Sequence, residues 1–501
     1  MRKSLWRGTL TLTSAALASR GLGLLYRMLL ARFLGSEGLG IFQMIFPLYV
    51  ALVTLAVAGT PVAISQMLAE GKAPASRLIR IATLIVLTIT VPLMVLILLW
   101  ARPLALALYH DAHLVPLLWG LAPALIAVAF SSVLRGYFIG RQEMEYPAAA
   151  QVAEQMARVV ILFMLLNLVG THLFPNPPLI AVLLIPFGEG ISLMILAVGY
   201  FRSQPEAERR STSYRGLVRA ILRLAMPVTA SRLLASAIGV VEASLIPLRL
   251  QLSGMSRAGA LKYFGQLTGM ALPLILFPTA LTVSLSTNLI PAIAEANAEA
   301  DSQERAKRTH RYIVDSISAT ALLTVPVTFV LLTLGLPLDD LFFRTSIHAT
   351  VFIPLVVGGF FLYFDIAFAG ILRGLGRTDL PLWNDLVASL CEIGLIWALA
   401  GVPGLGREGI AVAIAVGFAL SSVLNLYHVV KLTRVRIPWL KVLLKPISAS
   451  LPIWLLTPVW QSWLTAHHVG HIPVLITSVM VAGLIYFASL AAAGMSPTRL
   501  L

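Results

Sequence analysis

Residues 18–35 read Ala18-Ser19-Arg20-Gly21-Leu22-Gly23-Leu24-Leu25-Tyr26-Arg27-Met28-Leu29-Leu30-Ala31-Arg32-Phe33-Leu34-Gly35. Two arginines stand seven residues apart inside an apolar run, on one helix face and about 10 Å apart along the axis. The run returns further along the chain. Ala18-Ser19-Arg20 is matched by Ala230-Ser231-Arg232, Gln43 by Gln266, and Ala69-Glu70 by Ala294-Glu295. Leu134-Arg135-Gly136…Gly140-Arg141 is matched by Leu372-Arg373-Gly374…Gly376-Arg377. The offsets are 212, 223, 225 and 238, rising steadily as two related copies with small insertions would give. The duplication also argues against cleavage of the N-terminus. Met1-Arg2-Lys3 with Ala16-Leu17-Ala18 imitates a secretory signal, but a signal peptide has no reason to recur inside the mature chain.

Working outward, the 501 residues are 58% hydrophobic and 12% charged, with a mean hydropathy of +0.89. Soluble domains carry about 25% charged residues, so a soluble enzyme is excluded in practice. Apolar runs bounded by charge, Pro or Gly predict fourteen helices, each needing about 20 apolar residues to span a bilayer. Helices 1–6 are expected near 9–33, 40–69, 79–101, 115–139, 147–170 and 178–201, and helices 7–12 near 218–248, 262–291, 311–336, 349–374, 381–401 and 408–431. Helices 13 and 14 are expected near 441–460 and 473–494. Nothing alternates as barrel strands do, and the short connections leave no room for a sizeable aqueous domain. The reading is an all-α polytopic membrane protein with fourteen transmembrane helices.

Net charge is +15, from 37 Lys+Arg and 22 Asp+Glu. No basic patch is interleaved with aromatics as a nucleic-acid surface would need. With the N-terminus cytoplasmic, 24 Lys+Arg fall on that side and seven on the other. This asymmetry is what the positive-inside rule demands, and it puts both termini in the cytoplasm. We call the richer side the basic face. Six helices per copy is even, so both copies enter the membrane the same way. That gives a parallel pseudo-twofold repeat: an N-lobe over 1–205, a linker over 206–217, a C-lobe over 218–435, and helices 13–14 over 436–501.

Ser19-Arg20-Gly-Leu-Gly-Leu-Leu-Tyr26-Arg27 with Leu30-Ala31-Arg32-Phe33-Leu34-Gly35 resembles the first helix of the stage V sporulation protein B family. Phe277-Pro-Thr-Ala-Leu-Thr with Leu289-Ile-Pro-Ala-Ile-Ala-Glu295, and Arg135-Gly-Tyr-Phe with Gln151-Val-Ala-Glu154-Gln155, resemble the same family in their own regions. The family is related to the MurJ-type lipid II flippases of the multidrug/oligosaccharidyl-lipid/polysaccharide exporter superfamily. The resemblance implies a V-shaped, two-lobed transporter. It implies movement of a lipid-linked saccharide across the bacterial cytoplasmic membrane in cell-wall, peptidoglycan or polysaccharide assembly. Cavity arginines on the first helix are essential in those flippases, which points to Arg20. The acidic residue those flippases carry near the start of helix 2 has no evident match here, and Ile41-Phe42-Gln43 stands in that region.

An ionisable group deep in a membrane is costly unless it is paired or faces a water-filled cavity. Arg20, Arg27 and Arg232 are therefore candidate ligands for a diphosphate, which guanidinium forks bind bidentately, with Gln43 and Gln266 beside them. The bland alternative is that Arg27 snorkels to the interface and Arg20 pairs with a local carboxylate or carbonyl. Gln151, Glu154, Gln155 and Arg158 form one stripe on helix 5, and Glu154 and Arg158 can pair at i,i+4. They are read as a structural seal or gate. So are the basic-face loops with Arg135, Gly136, Arg141, Arg373, Gly374 and Arg377. Glu242 and Asp385, among the second-lobe acids Glu242, Asp365, Asp385 and Glu392, are candidates for coupling to Na⁺, H⁺ or the membrane potential. Asp365 is expected near an end of its helix. No cofactor, metal site or nucleic-acid partner is expected: the single Cys391 permits no disulfide. Gly404-Leu-Gly406-Arg-Glu-Gly409 lacks the strand a dinucleotide site needs, and His467, His468 and His471 read as a solvated loop. A monomer is expected. The alternatives to a flippase are a MATE-like cation-coupled drug exporter, whose cationic substrates two helix-1 arginines would not suit, and a membrane glycosyltransferase or polymerase.

Overall fold

The computed structural model describes the backbone at 2–57, 59–71, 74–169, 175–203, 214–299, 301–345 and 347–492. Side chains are described over the same residues apart from 2–17, 168, 169, 227 and 288. No strand occurs among the described residues. The first helical stretch, Arg2–Val57, is not one span. Gly35 leaves the helix with φ 67° and ψ 177°, a conformation that glycine adopts without a Cβ clash. The break yields α1 (2–34) and α2 (36–57), the latter continued by Thr60–Ala69 after a second break at Gly59, φ 64°. A Cβ at Gly59 would also lie 2.6 Å from the carbonyl oxygen of Ala225.

The chain continues through α3 (Ala75–Tyr109), α4 (Val115–Gly140), α5 (Glu145–Met164), α6 (Pro177–Ser203) and α7 (Tyr214–Leu252). Then α8 runs Arg257–Gln266 and Leu272–Leu276 across a π-turn at 267–271. It bends by 49° after Leu276 and resumes as Thr279–Asn297. The rest are α9 (Ser302–Phe343), α10 (Ala349–Gly374), α11 (Asp379–Leu399), α12 (Gly406–Thr433), α13 (Trp439–Ala466) and α14 (His471–Ala492). Among the described residues twelve helices, the first being the 52-residue stretch Ala18–Ala69, are long and apolar enough to cross a membrane, and the bent α8 pair makes a thirteenth. At 1.5 Å per residue the 52-residue stretch is about 78 Å long, more than twice the roughly 30 Å of hydrocarbon. Split at Gly35 it supplies two spans, and the chain is an all-α polytopic membrane protein of fourteen helices. α2 and α8, equivalent in the repeat, are the two broken ones.

The described residues form two compact units. One holds 1–248 and 256–269, the other 249–255 and 270–501. In the first, the start of α7 completes the core: Leu217, Ile221 and Ala225 pack with Ala63, Ile64, Met67, Leu78 and Tyr137. The first turns of α8 also belong to it. A Cβ on Gly265 would meet the amide nitrogen of Gly40 at 2.6 Å, so α2 and α8 cross backbone to backbone. In the second unit α10 runs at the centre, against α8, α9 and α12, and Tyr363 Oη donates to the carbonyl of Ile275 at 2.6 Å. Here α13 and α14 lean on α9, with Tyr486 Oη donating to Leu322 O at 2.7 Å. These units follow packing, not the repeat. Most of the linker expected at 206–217 lies outside the described residues, as does the extreme C-terminus.

Candidate functional site

Arginines within the helices of the first unit divide into those with a carboxylate partner and those with none among the described residues. On α5, Arg158 Nη2 lies 2.9 Å from Glu154 Oε1, the i,i+4 contact read from the sequence. It also lies 3.4 Å from Glu189 Oε1 on α6. Arg135 on α4 donates to Ser192 Oγ at 3.1 Å and stands 3.9 Å from Glu154 Oε2. Two guanidinium and two carboxylate groups thus form a charge-balanced cluster joining α4, α5 and α6. Gly188 makes room for it, since a Cβ there would lie 2.5 Å from Arg158 Nε. Gln155, on the same stripe, is half-buried.

Arg20, Arg27 and Arg232 are different. Arg20 and Arg232 are exposed from the protein, and Arg27 is half-buried beside the buried Tyr26. Among the described residues none of the three has a carboxylate within ion-pair distance, so of the two local partners considered for Arg20 the carboxylate is not found there. All three lie in the first unit. Gln43 directs its amide to the backbone, donating to Thr268 O at 3.4 Å. Its counterpart Gln266 is half-buried two residues before Thr268, at the entry to the π-turn.

The basic-face loops repeat in structure as in sequence. Arg141 Nε donates to Glu143 at 2.8 Å, and Arg377 grips Asp379 bidentately at 3.0 and 2.9 Å. Both pairs are i,i+2 and 236 residues apart. The glutamate of the first loop raises the Arg141 pKa, as the aspartate of the second raises that of Arg377. Gly136 and Gly374 are crossing points. A Cβ would meet Pro61 Cα at 2.8 Å in the first case and Ile293 Cβ at 2.9 Å in the second. So α4 rests on α2 as α10 rests on α8. Arg373 is exposed at the end of α10.

In the second unit, Asp365 is not near a helix end. It is 7% exposed inside α10, nine residues short of Gly374. Ser421 Oγ on α12 is 3.0 Å from Asp365 Oδ1 and 2.6 Å from Asp385 Oδ1 on α11. Asn425 Nδ2 donates to Asp365 Oδ1 at 2.7 Å, and Asn384 Nδ2 donates to Asn425 Oδ1 at 2.8 Å and faces His428 Nδ1 at 3.0 Å. The structure therefore joins Asp385 to Asp365. Glu242 is half-buried on α7, in the other unit, and Glu392 packs against Gly417. Sequence reading missed Glu189, Ser192, Asn384, Ser421, Asn425 and His428. For three of them a signal was present: Ser421, Asn425 and His428 fall at i, i+4 and i+7 on α12, as residues of the α5 stripe do.

Fourteen apolar helices, duplicated in two sets of six and threaded by buried polar clusters, define a multi-pass membrane protein of the transporter kind. The chain belongs to the polysaccharide biosynthesis protein family, whose model matches residues 5–297. It is 29% identical over 451 residues to stage V sporulation protein B of Bacillus subtilis (strain 168), covering 87% of this chain and 85% of that one. A second relative is lipid II flippase MurJ of the same organism, 29% identical over 175 residues and 32% of each chain. A solved structure of a lipid II flippase MurJ, in an inward closed conformation, superposes with a TM-score of 0.73. That match covers 96% of this chain and 98% of the other at 17% identity.

Proposed function

We propose that the protein is a flippase for a polyprenyl-diphosphate-linked saccharide, such as lipid II or a related polysaccharide precursor, in the bacterial cytoplasmic membrane. It acts as a monomeric transporter, not an enzyme, with both termini in the cytoplasm, and its lobes rock to expose the substrate to each side in turn. One observation carries the reading. Arg135 and Arg158 are neutralised by carboxylates, whereas Arg20, Arg27 and Arg232, in equally apolar helices, have no carboxylate partner among the described residues. Unneutralised guanidinium groups in a membrane need water and an anion, and a diphosphate supplies the anion. The similarity to a lipid II flippase supports the same substrate class, and cationic drugs do not suit such a site.

Coupling belongs at Asp365 and Asp385. A hydroxyl has one proton to donate, yet Ser421 Oγ is within hydrogen-bond distance of both carboxylates. A proton or Na⁺ shared by the two acids completes the set.

The test is binding of the purified lipid-linked sugar to wild-type and Arg20→Ala protein in detergent, alongside thermal stability. Loss of a charged hydrogen bond typically costs about 1.5–3 kcal/mol, so affinity should fall roughly ten- to hundredfold with the unfolding midpoint unchanged. Arg20→Lys should recover only part of it. Unchanged affinity with lowered stability would make Arg20 a structural residue and move the diphosphate elsewhere.

A further inference from the structure

A chain of side-chain hydrogen bonds runs from the basic-face end of α12 to the acid pair of the second unit. It starts at His428, half-buried and five residues short of Thr433, where α12 ends. Asn384 Nδ2 on α11 faces His428 Nδ1 at 3.0 Å and also donates to Asn425 Oδ1 at 2.8 Å. Asn425 Nδ2 donates to Asp365 Oδ1 at 2.7 Å, and Ser421 Oγ stands 3.0 Å from the same oxygen. Both asparagines are buried, so each amide depends on its neighbours in the chain for partners.

The chain has a direction. An amide has a donor end and an acceptor end. Asp365 Oδ1 accepts from Asn425, which turns the Asn425 oxygen toward Asn384 and so the Asn384 nitrogen toward His428. His428 must then accept, through an Nδ1 that carries no hydrogen. Yet Nδ1 also lies 3.0 Å from the carbonyl oxygen of Leu424, which can only accept. It has a donor on one side and an acceptor on the other, and serves one at a time. Bare, it takes the Asn384 hydrogen; protonated, it donates to Leu424. Both states of the imidazole therefore have a partner waiting.

Charged and titratable groups stand around it on each neighbouring helix. On α12 the Tyr427 ring lies 5.3 Å from the imidazole, with Lys431 Nζ over that ring at 5.5 Å. α11 brings Asp385, next to Asn384 in sequence and bonded to Ser421. α10 brings Asp365, with Arg373 in electrostatic reach of both acids. Arg305 and His310 of α9 line a hollow with Leu432 and Thr433 at the end of α12.

We propose that His428 senses pH at the basic face and passes its state to Asp365. When Nδ1 takes a proton from water on that side it donates to Leu424, and Asn384 turns its oxygen to the imidazole. Asn425 reverses with it, so that its oxygen faces Asp365 Oδ1 and the donor is withdrawn from the acid. The link is reciprocal: an Asp365 oxygen that accepts holds His428 bare. The consequence for transport rests on the coupling role given above to Asp365 and Asp385, since pH on the basic face then sets how firmly that pair holds its cation.

The experiment is a pH titration of the full chain in detergent, with the histidine rings carbon-13 labelled and followed by NMR. His428→Gln identifies the signal among the nine histidines. If charge alone acted, removing a carboxylate nearby would make the imidazole harder to protonate. The chain demands the opposite of Asp365→Asn. An amide at 365 can donate as well as accept, Asn425 is released, and half-protonation of His428 should move up by about one pH unit, the size of one exchanged hydrogen bond. Asp385→Asn removes a charge but keeps the direction of the chain, and should give no rise. Asn384→Leu cuts the chain, and Asp365→Asn added to it should give no rise either. A fall in Asp365→Asn, or an equal rise with Asn384→Leu present, overturns the link. Should Asn384→Leu fail to fold, the opposed responses of the two aspartate variants still decide it. The readout is independent of transport. The expected shifts, together with lipid II transport in proteoliposomes that ignores basic-face pH, support the link and remove the coupling role of the acids instead.

Discussion

Replacing Arg158 by methionine should unfold the first unit more readily than any loss of a substrate arginine. The side chain is 12% exposed and holds two carboxylates of 10% and 13% exposure at 2.9 and 3.4 Å. Methionine fills much of the volume but leaves Glu154 and Glu189 facing each other with only Arg135, 3.9 Å from Glu154, to balance them. Breaking a buried ion pair from one side typically costs about 3–5 kcal/mol. At about 2 °C per kcal/mol for a unit of this size, the unfolding midpoint should fall by roughly 6–10 °C. Arg158→Met with Glu154→Gln and Glu189→Gln removes the stranded charges, and should recover most of that loss. The assay is thermal unfolding of purified protein in detergent, followed by intrinsic tryptophan fluorescence, beside substrate binding for each variant. Midpoints within 2 °C of wild type for Arg158→Met, with substrate affinity reduced, would refute the reasoning and transfer Arg158 to the substrate site.

Asp385→Asn should leave the fold intact, since Ser421 can still pair with Asp365. It should abolish the dependence of transport on a Na⁺ or proton gradient in proteoliposomes; retained dependence would remove the Asp365–Asp385 pair from coupling. Gly265→Val should part α2 from α8, because even a Cβ meets the backbone of Gly40. Transport should be lost and the unfolding midpoint lowered, and normal values of both would deny the close crossing. Single cysteines at Ser203 and His468, in a background with Cys391→Ser, should label from opposite sides of the membrane; labelling from one side would overturn the fourteen-span topology.

The number of the helices was legible in the chain because burial in lipid is a local property. Each span must carry its own run of apolar residues, and each loop its own charge. The duplication was legible for the same reason, and so was the Glu154–Arg158 pair, which needs only the helical period. Contacts between helices carry no such local mark. Nothing near Arg158 in sequence foretells Glu189, 31 residues on, and nothing near Asp365 foretells Asn425. Asp365 itself seemed peripheral until its side chain was seen buried against Ser421 and Asn425 of α12. Whether an arginine in an apolar helix is neutralised depends on which helices pack against its face, and that is decided by side-chain fit across the whole unit. Composition and period therefore determined that this chain is a duplicated bundle of membrane helices. Only the tertiary structure separated Arg135 and Arg158, sealed by carboxylates, from Arg20, Arg27 and Arg232, which have none within ion-pair distance among the described residues.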